Sequence, residues 1–184
     1  MLSKGHDFKR LTLVVVMEAA VGFNAIDFRG PEKSAQQILQ VSGRSGRHND
    51  KGEIILQTYD ANNPVLLSLI RNGYKSFAEN ELRIREKMRF PPFRPMAIIR
   101  ADAKSASTAE NFLNRINYTL SDYETLGPAP ALISKIANRY RFQLMILADN
   151  RRLLDQALTT VQASYKKTGN EGLRWSIDVD PLEI

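Results

Sequence analysis

The 184-residue sequence predicts an α/β segment followed by an α+β domain of element order β-α-β-β-α-β. Three observations carry this expectation. Two apolar runs rich in β-branched residues, Leu11 to Met17 and Glu53 to Thr58, flank an amphipathic stretch, the pattern of a strand–helix–strand crossover. Pro91-Pro92 then stiffens the chain into an extended link and marks a domain boundary. Beyond it, six segments alternate between strand-like and helix-like periods, an order that is ferredoxin-like, with two helices on one face of an antiparallel sheet. The opposite sheet face is then left to bind something or to pack on the first domain.

In the first segment, the run Leu11–Met17 lacks alternation and so reads as a strand covered on both faces. Residues 19–31 form a loop, and Pro31 suits the first position of a helix that buries Ala35, Ile38 and Leu39. Asn49-Asp50-Lys51-Gly52 turns the chain into the second strand. Asn63 can cap a helix opened by Pro64, with Val65, Leu66, Leu69 and Ile70 inside and Gly73 at its end. A further helix over 76–88 is expected to bury Phe77, Leu82 and Ile84 or Met88, and to leave the cluster Arg83-Arg85-Glu86-Lys87-Arg89 solvated.

In the second domain, Met96–Ala101 is a strand and Ser107 with Glu110 a capping box for a helix carrying Ala109, Phe112, Leu113, Ile116 and Leu120. Ala131–Ile136 and Arg139–Leu147 are the next strands. Asp149 or Asn150 caps a helix with the stripe Leu153, Leu154, Ala157, Leu158, Val161 and Tyr165, and Leu173–Asp180 alternates as the closing strand, where Trp175 is a packing residue.

Bulk properties narrow the function classes. The net charge of +6 favours polyanionic partners, yet it is evenly spread, with 13 basic and 10 acidic residues in each of 1–88 and 89–184. The absence of cysteine removes disulfides and thiolate metal sites and fits a reducing cytoplasm. No apolar run approaches the ~20 residues of a membrane span. Met1-Leu2-Ser3-Lys4 has no apolar signal core, so no secretory leader is expected.

One stretch concentrates the chemistry. If residues 32–47 are helical, Gln40, Arg44 and Arg47 sit at i, i+4 and i+7, and one amide and two guanidinium forks share a face that suits polyphosphate or carboxylate. Spacing alone also allows a solvated basic helix end favoured by the macrodipole. A second candidate is the strand on which Arg139 and Arg141 share one side, with Lys135 nearby and Tyr140 and Phe142 opposite. That set suits a DNA backbone, while the same alternation describes core rings and a wet arginine face. Arg151 and Arg152 stand at a helix N-terminus, where acidic ligands are favoured. His6 has no second metal ligand at useful spacing, so no metal site is expected.

These residues resemble one family closely. Met1-Leu2-Ser3-Lys4-Gly5-His6-Asp7-Phe8 looks like the fifth helicase motif, and Gln40 to Arg47 like the sixth, of the PriA (primosomal protein N′) replication-restart helicases. Asp27-Phe28-Arg29 with Glu32, Gly52-Glu53, Leu56-Gln57-Thr58, Gly73-Tyr74, Phe77-Ala78, Pro91-Pro92, Leu126-Gly127-Pro128 and Asp178-Val179-Asp180-Pro181 keep that family's pattern. The sixth motif alone is shared by many superfamily 2 helicases, whereas the succession is specific to this family. Ala20 and Val21 depart from it, standing where the family usually has Asp and Gly.

The resemblance implies a plan: 1–60 as the C-terminal part of the second RecA-like helicase lobe, 61–90 as a helical connector, and 91–184 as the C-terminal α+β domain. It implies a parent that hydrolyses ATP with magnesium, translocates 3′→5′ on DNA, binds forked and single-stranded DNA and assembles the primosome. Arg44 and Arg47 would then stabilise the transferred γ-phosphate, with Gln40 positioning it, while Gly5 and Asp7 would face the nucleotide cleft. Lys135, Arg139 and Arg141 would contact DNA, and Arg151 and Arg152 would hold the acidic tail of single-stranded-DNA-binding protein. The sequence contains no G-x-x-x-x-G-K-[ST] loop, no magnesium-holding Asp-Glu pair and none of the family's zinc-binding cysteines. This chain alone is therefore expected to hydrolyse no ATP and to hold no cofactor, zinc included. A non-catalytic nucleic-acid or protein binding module is the alternative.

Overall fold

The computed structural model describes residues 11–25, 27–43, 52–165 and 172–182. The chain divides into two units, Met1–Ile84 and Arg85–Ile184.

In the first unit, β1 (Leu13–Val16) and β2 (Glu53–Leu56) pair in parallel, Leu13 beside Glu53 and Val16 beside Leu56. Between them runs α1 (Gly30–Ser42), with Pro31 in its first turn. Asp27 fixes the entry to that helix, accepting from the Arg29 backbone N–H and from Lys33 Nζ, both at 3.0 Å. Ala19, Ala20, Phe23, Ala35, Ile38, Leu66, Leu69 and Phe77 form one buried cluster. The expected coverage of β1 on both faces does not occur, since Val14 is buried while Leu13 and Val15 are about half exposed. Among the described residues this sheet has two strands, so the buried cluster covers one side only. The described part of α1 ends at Ser42, with Gly43 as its C-cap, and residues 44–47 of the conditional helix over 32–47 lie outside the described residues.

The long helix α2 (Pro64–Lys87) confirms two punctuation signals. Asn63 Oδ1 accepts from the backbone N–H groups of Val65 and Leu66, both at 3.1 Å, and Gly73 (φ +77°) interrupts the helical backbone. Its second half differs from expectation. Phe77 is buried as expected, but Leu82, Ile84 and Met88 are exposed, and Glu81 and Arg85, at i+4 and i+8 from Phe77, are buried in their place. A charged row thus faces inward, and Arg85 leaves the set expected to be solvated.

The second unit is built on an antiparallel sheet of order β4-β5-β3-β6, formed by β3 (Met96–Ala103), β4 (Glu124–Ile136), β5 (Arg139–Leu147) and β6 (Arg174–Val179). Helices α3 (Ala106–Thr119) and α4 (Arg151–Ser164) cover one face. Ala97, Ile99, Ala101 and Ala103 on β3 pack there against Phe112, Leu113, Ile116, Leu154, Ala157 and Val161. Phe112 is fully buried, with its ring centroid 5.6 Å from that of Tyr165 and 5.7 Å from that of Trp175.

Asn150 caps α4 by accepting from the Leu153 backbone N–H at 3.0 Å. The Ser107–Glu110 box is not formed. Helix α3 begins at Ala106, which places Ser107 inside the first turn, and Ser105, the N-cap, makes no side-chain cap bond. Strand β4 begins seven residues before its expected start and runs through Pro128 and Pro130. It tolerates them because it is an edge strand with register shifts between Leu126 and Ala129 and between Pro130 and Lys135. Gly127 adopts φ +108°, and a Cβ there would lie 2.9 Å from the Gln143 carbonyl oxygen.

Candidate functional site

The sheet face turned away from α3 and α4 divides along β3. At the Met96 end it is apolar, with Met96 and Ile98 fully buried. At the other end, strand alternation puts Arg100 and Asp102 on this face, because their neighbours Ala101 and Ala103 point into the helix-covered core. Register then decides which side chains join them. Asp102 stands opposite Arg141 of β5 on one side and Arg174 of β6 on the other, while Arg100 stands between Gln143 and Ser176. The result is a cleft of about 200 Å³ lined by Arg100, Asp102, Ala131, Arg141, Arg174 and Ser176.

Charge in the cleft does not cancel. Arg100 Nη1 donates to Asp178 Oδ2 at 2.7 Å. Arg139 holds the Asp102 carboxylate through Nε and donates through Nη2 to the Asp102 carbonyl at 2.8 Å and the Gly172 carbonyl at 2.6 Å. Both of these pairs are partly shielded from solvent. Among the described residues Arg141 and Arg174 have no carboxylate partner, so within them two guanidinium charges stand uncompensated on either side of a neutralised aspartate. Planar forks spaced across three strands suit one dianion or two successive phosphodiester groups.

The other expected site residues are placed as follows. Arg139 is consumed by Asp102 and Gly172 and acts as a clamp. Lys135 registers with Tyr140, so it lies on the face opposite Arg139 and Arg141; its Nζ donates to the Tyr140 hydroxyl at 3.2 Å and sits 4.5 Å from the ring centroid. Phe142 is buried in the core, and Tyr140 packs against it. Arg151 donates to Asp180 at 2.6 Å, and this carboxylate raises its pKa further above the ordinary arginine value. Arg152 is exposed beside Tyr123, Asp155 and Thr159. Gln40 is exposed on α1, and Gly5, Asp7, Arg44 and Arg47 lie outside the described residues. Among the described residues, no three His, Cys, Asp or Glu side chains converge to hold a metal, and no helix is long and apolar enough to cross a membrane.

Sequence reading missed Arg100 and Arg174. The signal was present in the alternation of Arg100-Ala101-Asp102-Ala103 and Arg174-Trp175-Ser176, but only the register across three strands brings the two to Arg141. Elsewhere in the unit, buried Arg94 donates to Glu124 at 2.6 Å and lies 3.2 Å from Asp149, which Arg89 also meets at 2.6 Å. The Arg94 guanidinium holds the Glu124 carboxyl below the usual glutamate range. That cluster fastens the start of the unit to β4 and to the entrance of α4.

Residues 86–182 match the family model of the primosomal protein N C-terminal domain. Replication restart protein PriA of Haemophilus influenzae is 38% identical over 100% of this chain and 26% of its own length. The proteins of the same name from Synechocystis (34% identical, 100% of this chain, 22% of its own) and Bacillus subtilis (33%, 98% and 23%) are similar. The chain spans about a quarter of the length of these curated relatives.

Proposed function

The chain belongs to the primosomal protein N C-terminal domain family, and on that premise we propose that it is part of a replication-restart DNA helicase. The observation that carries the proposal is similarity to replication restart proteins along the whole chain, beyond the 86–182 domain. The parallel strand–helix–strand of the first unit supports the end of a RecA-like lobe, and the order β4-β5-β3-β6 supports a ferredoxin-like C-terminal domain.

In this proposal the first unit supplies one side of an ATP site. Arg44 and Arg47 stabilise charge on the γ-phosphate, Gln40 orients it, and Gly5 and Asp7 line the cleft. The phosphate loop, the magnesium ligands and the zinc-binding cysteines belong to other parts of the parent, so this chain alone turns over no ATP. The second unit binds DNA through Arg141, Arg174 and Arg100, with Arg139 holding Asp102 out of the way. Arg151 and Arg152 are the proposed seat of the acidic tail of single-stranded-DNA-binding protein, which would compete with Asp180 for Arg151.

Replacing Arg44 or Arg47 by Ala in the full-length protein should slow ATP turnover by roughly 10³ or more while leaving DNA affinity nearly intact. A second reading, a binding module without catalytic contribution, draws on the two uncompensated arginines. Under it, the same substitutions would lower DNA affinity and its salt slope and spare turnover, which would overturn the catalytic assignment.

A further inference from the structure

Strand β4 leaves the ladder next to the arginine cleft. Pro130 pairs with Phe142 and Lys135 with Tyr140, so the four residues Ala131, Leu132, Ile133 and Ser134 stand opposite the single residue Arg141. Such an insertion pushes backbone and side chains out of the sheet. Ala131 lines the cleft, while Leu132 is 78% and Ile133 59% exposed. Two aliphatic side chains are thus presented to solvent at the tip of an edge-strand bulge, beside two guanidinium groups that have no carboxylate partner among the described residues.

We propose that the Leu132–Ile133 bulge is a wedge that reads a junction between double- and single-stranded DNA. This rests on the DNA reading of the arginine cleft given above. Arg141 and Arg174 grip consecutive phosphates, and that grip sets the adjacent aliphatic pair against the last base pair. In intact duplex, entry of the pair costs unstacking; at a junction the terminal base is already partly unstacked, so apolar contact is gained at lower cost. The arginines contribute affinity without preference, because phosphate contacts carry no information on strand geometry, and the bulge contributes the preference. The uncompensated charge beside the bulge selects nucleic acid over an apolar protein partner as occupant.

The test uses the whole 184-residue chain with three probes of equal length: a fork carrying 2-aminopurine at the junction, a linear duplex and a single strand. Wild type should favour the fork and raise its 2-aminopurine fluorescence. Leu132→Ser and Ile133→Ser should keep linear-duplex affinity and melting temperature but lower fork preference about tenfold, the size expected for one lost aliphatic burial, with the fluorescence rise abolished. Arg141→Gln and Arg174→Gln should weaken all three probes alike and reduce the salt slope by about 1 each. If the bulge variants keep fork preference and the fluorescence rise, the wedge is refuted while the DNA face stands. If the arginine variants leave affinity for every probe unchanged, the DNA face itself is refuted, and the wedge with it.

Discussion

On the DNA reading proposed for the arginine cleft, replacing Arg139 by Gln should weaken DNA binding although Arg139 itself holds Asp102 rather than DNA. Its guanidinium holds the Asp102 carboxylate and bridges two backbone carbonyls, at 2.8 and 2.6 Å. The side chains of Arg139 and Asp102 are only 15% and 28% exposed, so the pair is shielded more than a surface ion pair. Losing charge-assisted bonds of this kind costs about 2 kcal/mol, or roughly 10 °C in melting temperature for a unit of this size. The effect on the cleft is electrostatic. A freed Asp102 stands in register with both Arg141 and Arg174 and will pair with one of them, lowering the excess charge by one unit. The salt slope of binding to a linear duplex should then fall by about 1. Adding Asp102→Asn removes the competing carboxylate. The double variant Arg139→Gln/Asp102→Asn should therefore recover the wild-type slope and affinity, a coupling measured by fluorescence anisotropy at several salt concentrations well below the melting point. If the double variant binds as weakly as Arg139→Gln, Arg139 contacts DNA directly and the clamp is wrong.

Phe112→Ala should cost about 3–5 kcal/mol in urea unfolding followed by Trp175 fluorescence, because Phe112 is fully buried between Tyr165 and Trp175; a loss under 1 kcal/mol would mean that the ring does not anchor this core. Gly127→Ala should lower stability by about 1–3 kcal/mol in the same assay, since φ is +108° and the new methyl would meet the Gln143 carbonyl at 2.9 Å; a neutral result would contradict that backbone geometry. Glu124 titrates below its ordinary value in the folded state, so its contribution is complete above the unfolded value near ~4.3 and lost as pH falls through the folded value. Glu124→Gln should thus lower the melting temperature at neutral pH and by progressively less as the pH falls below ~4.3, and an equal loss at every pH would rule out this linkage.

Much of the second unit was legible because its signals are local. The spacing of Ala109, Phe112, Leu113, Ile116 and Leu120 fixes a helix face without reference to any other part of the chain, and all five are buried. Asn63 and Gly73 act through their own backbone neighbourhood, so the cap and the break fall where their chemistry puts them. The early start of β4 was not legible for the converse reason, because prolines such as Pro128 and Pro130 speak against a strand in isolation. They argue against a central strand, and only the sheet order shows that this strand is an edge, where a missing N–H costs no ladder bond. Helix spacing likewise could not tell that the inward row of α2 carries Glu81 and Arg85.

By itself the sequence determined the order of elements and the family, both of which depend on identity and spacing along one chain. Tertiary structure decided which arginines are available. Arg139 and Arg141 are two residues apart on one strand and indistinguishable in sequence, yet Arg139 is neutralised by Asp102 while Arg141 has no carboxylate partner among the described residues. Charge compensation depends on distance in space, and that distance is set by registers joining residues 102, 141 and 174 across three strands.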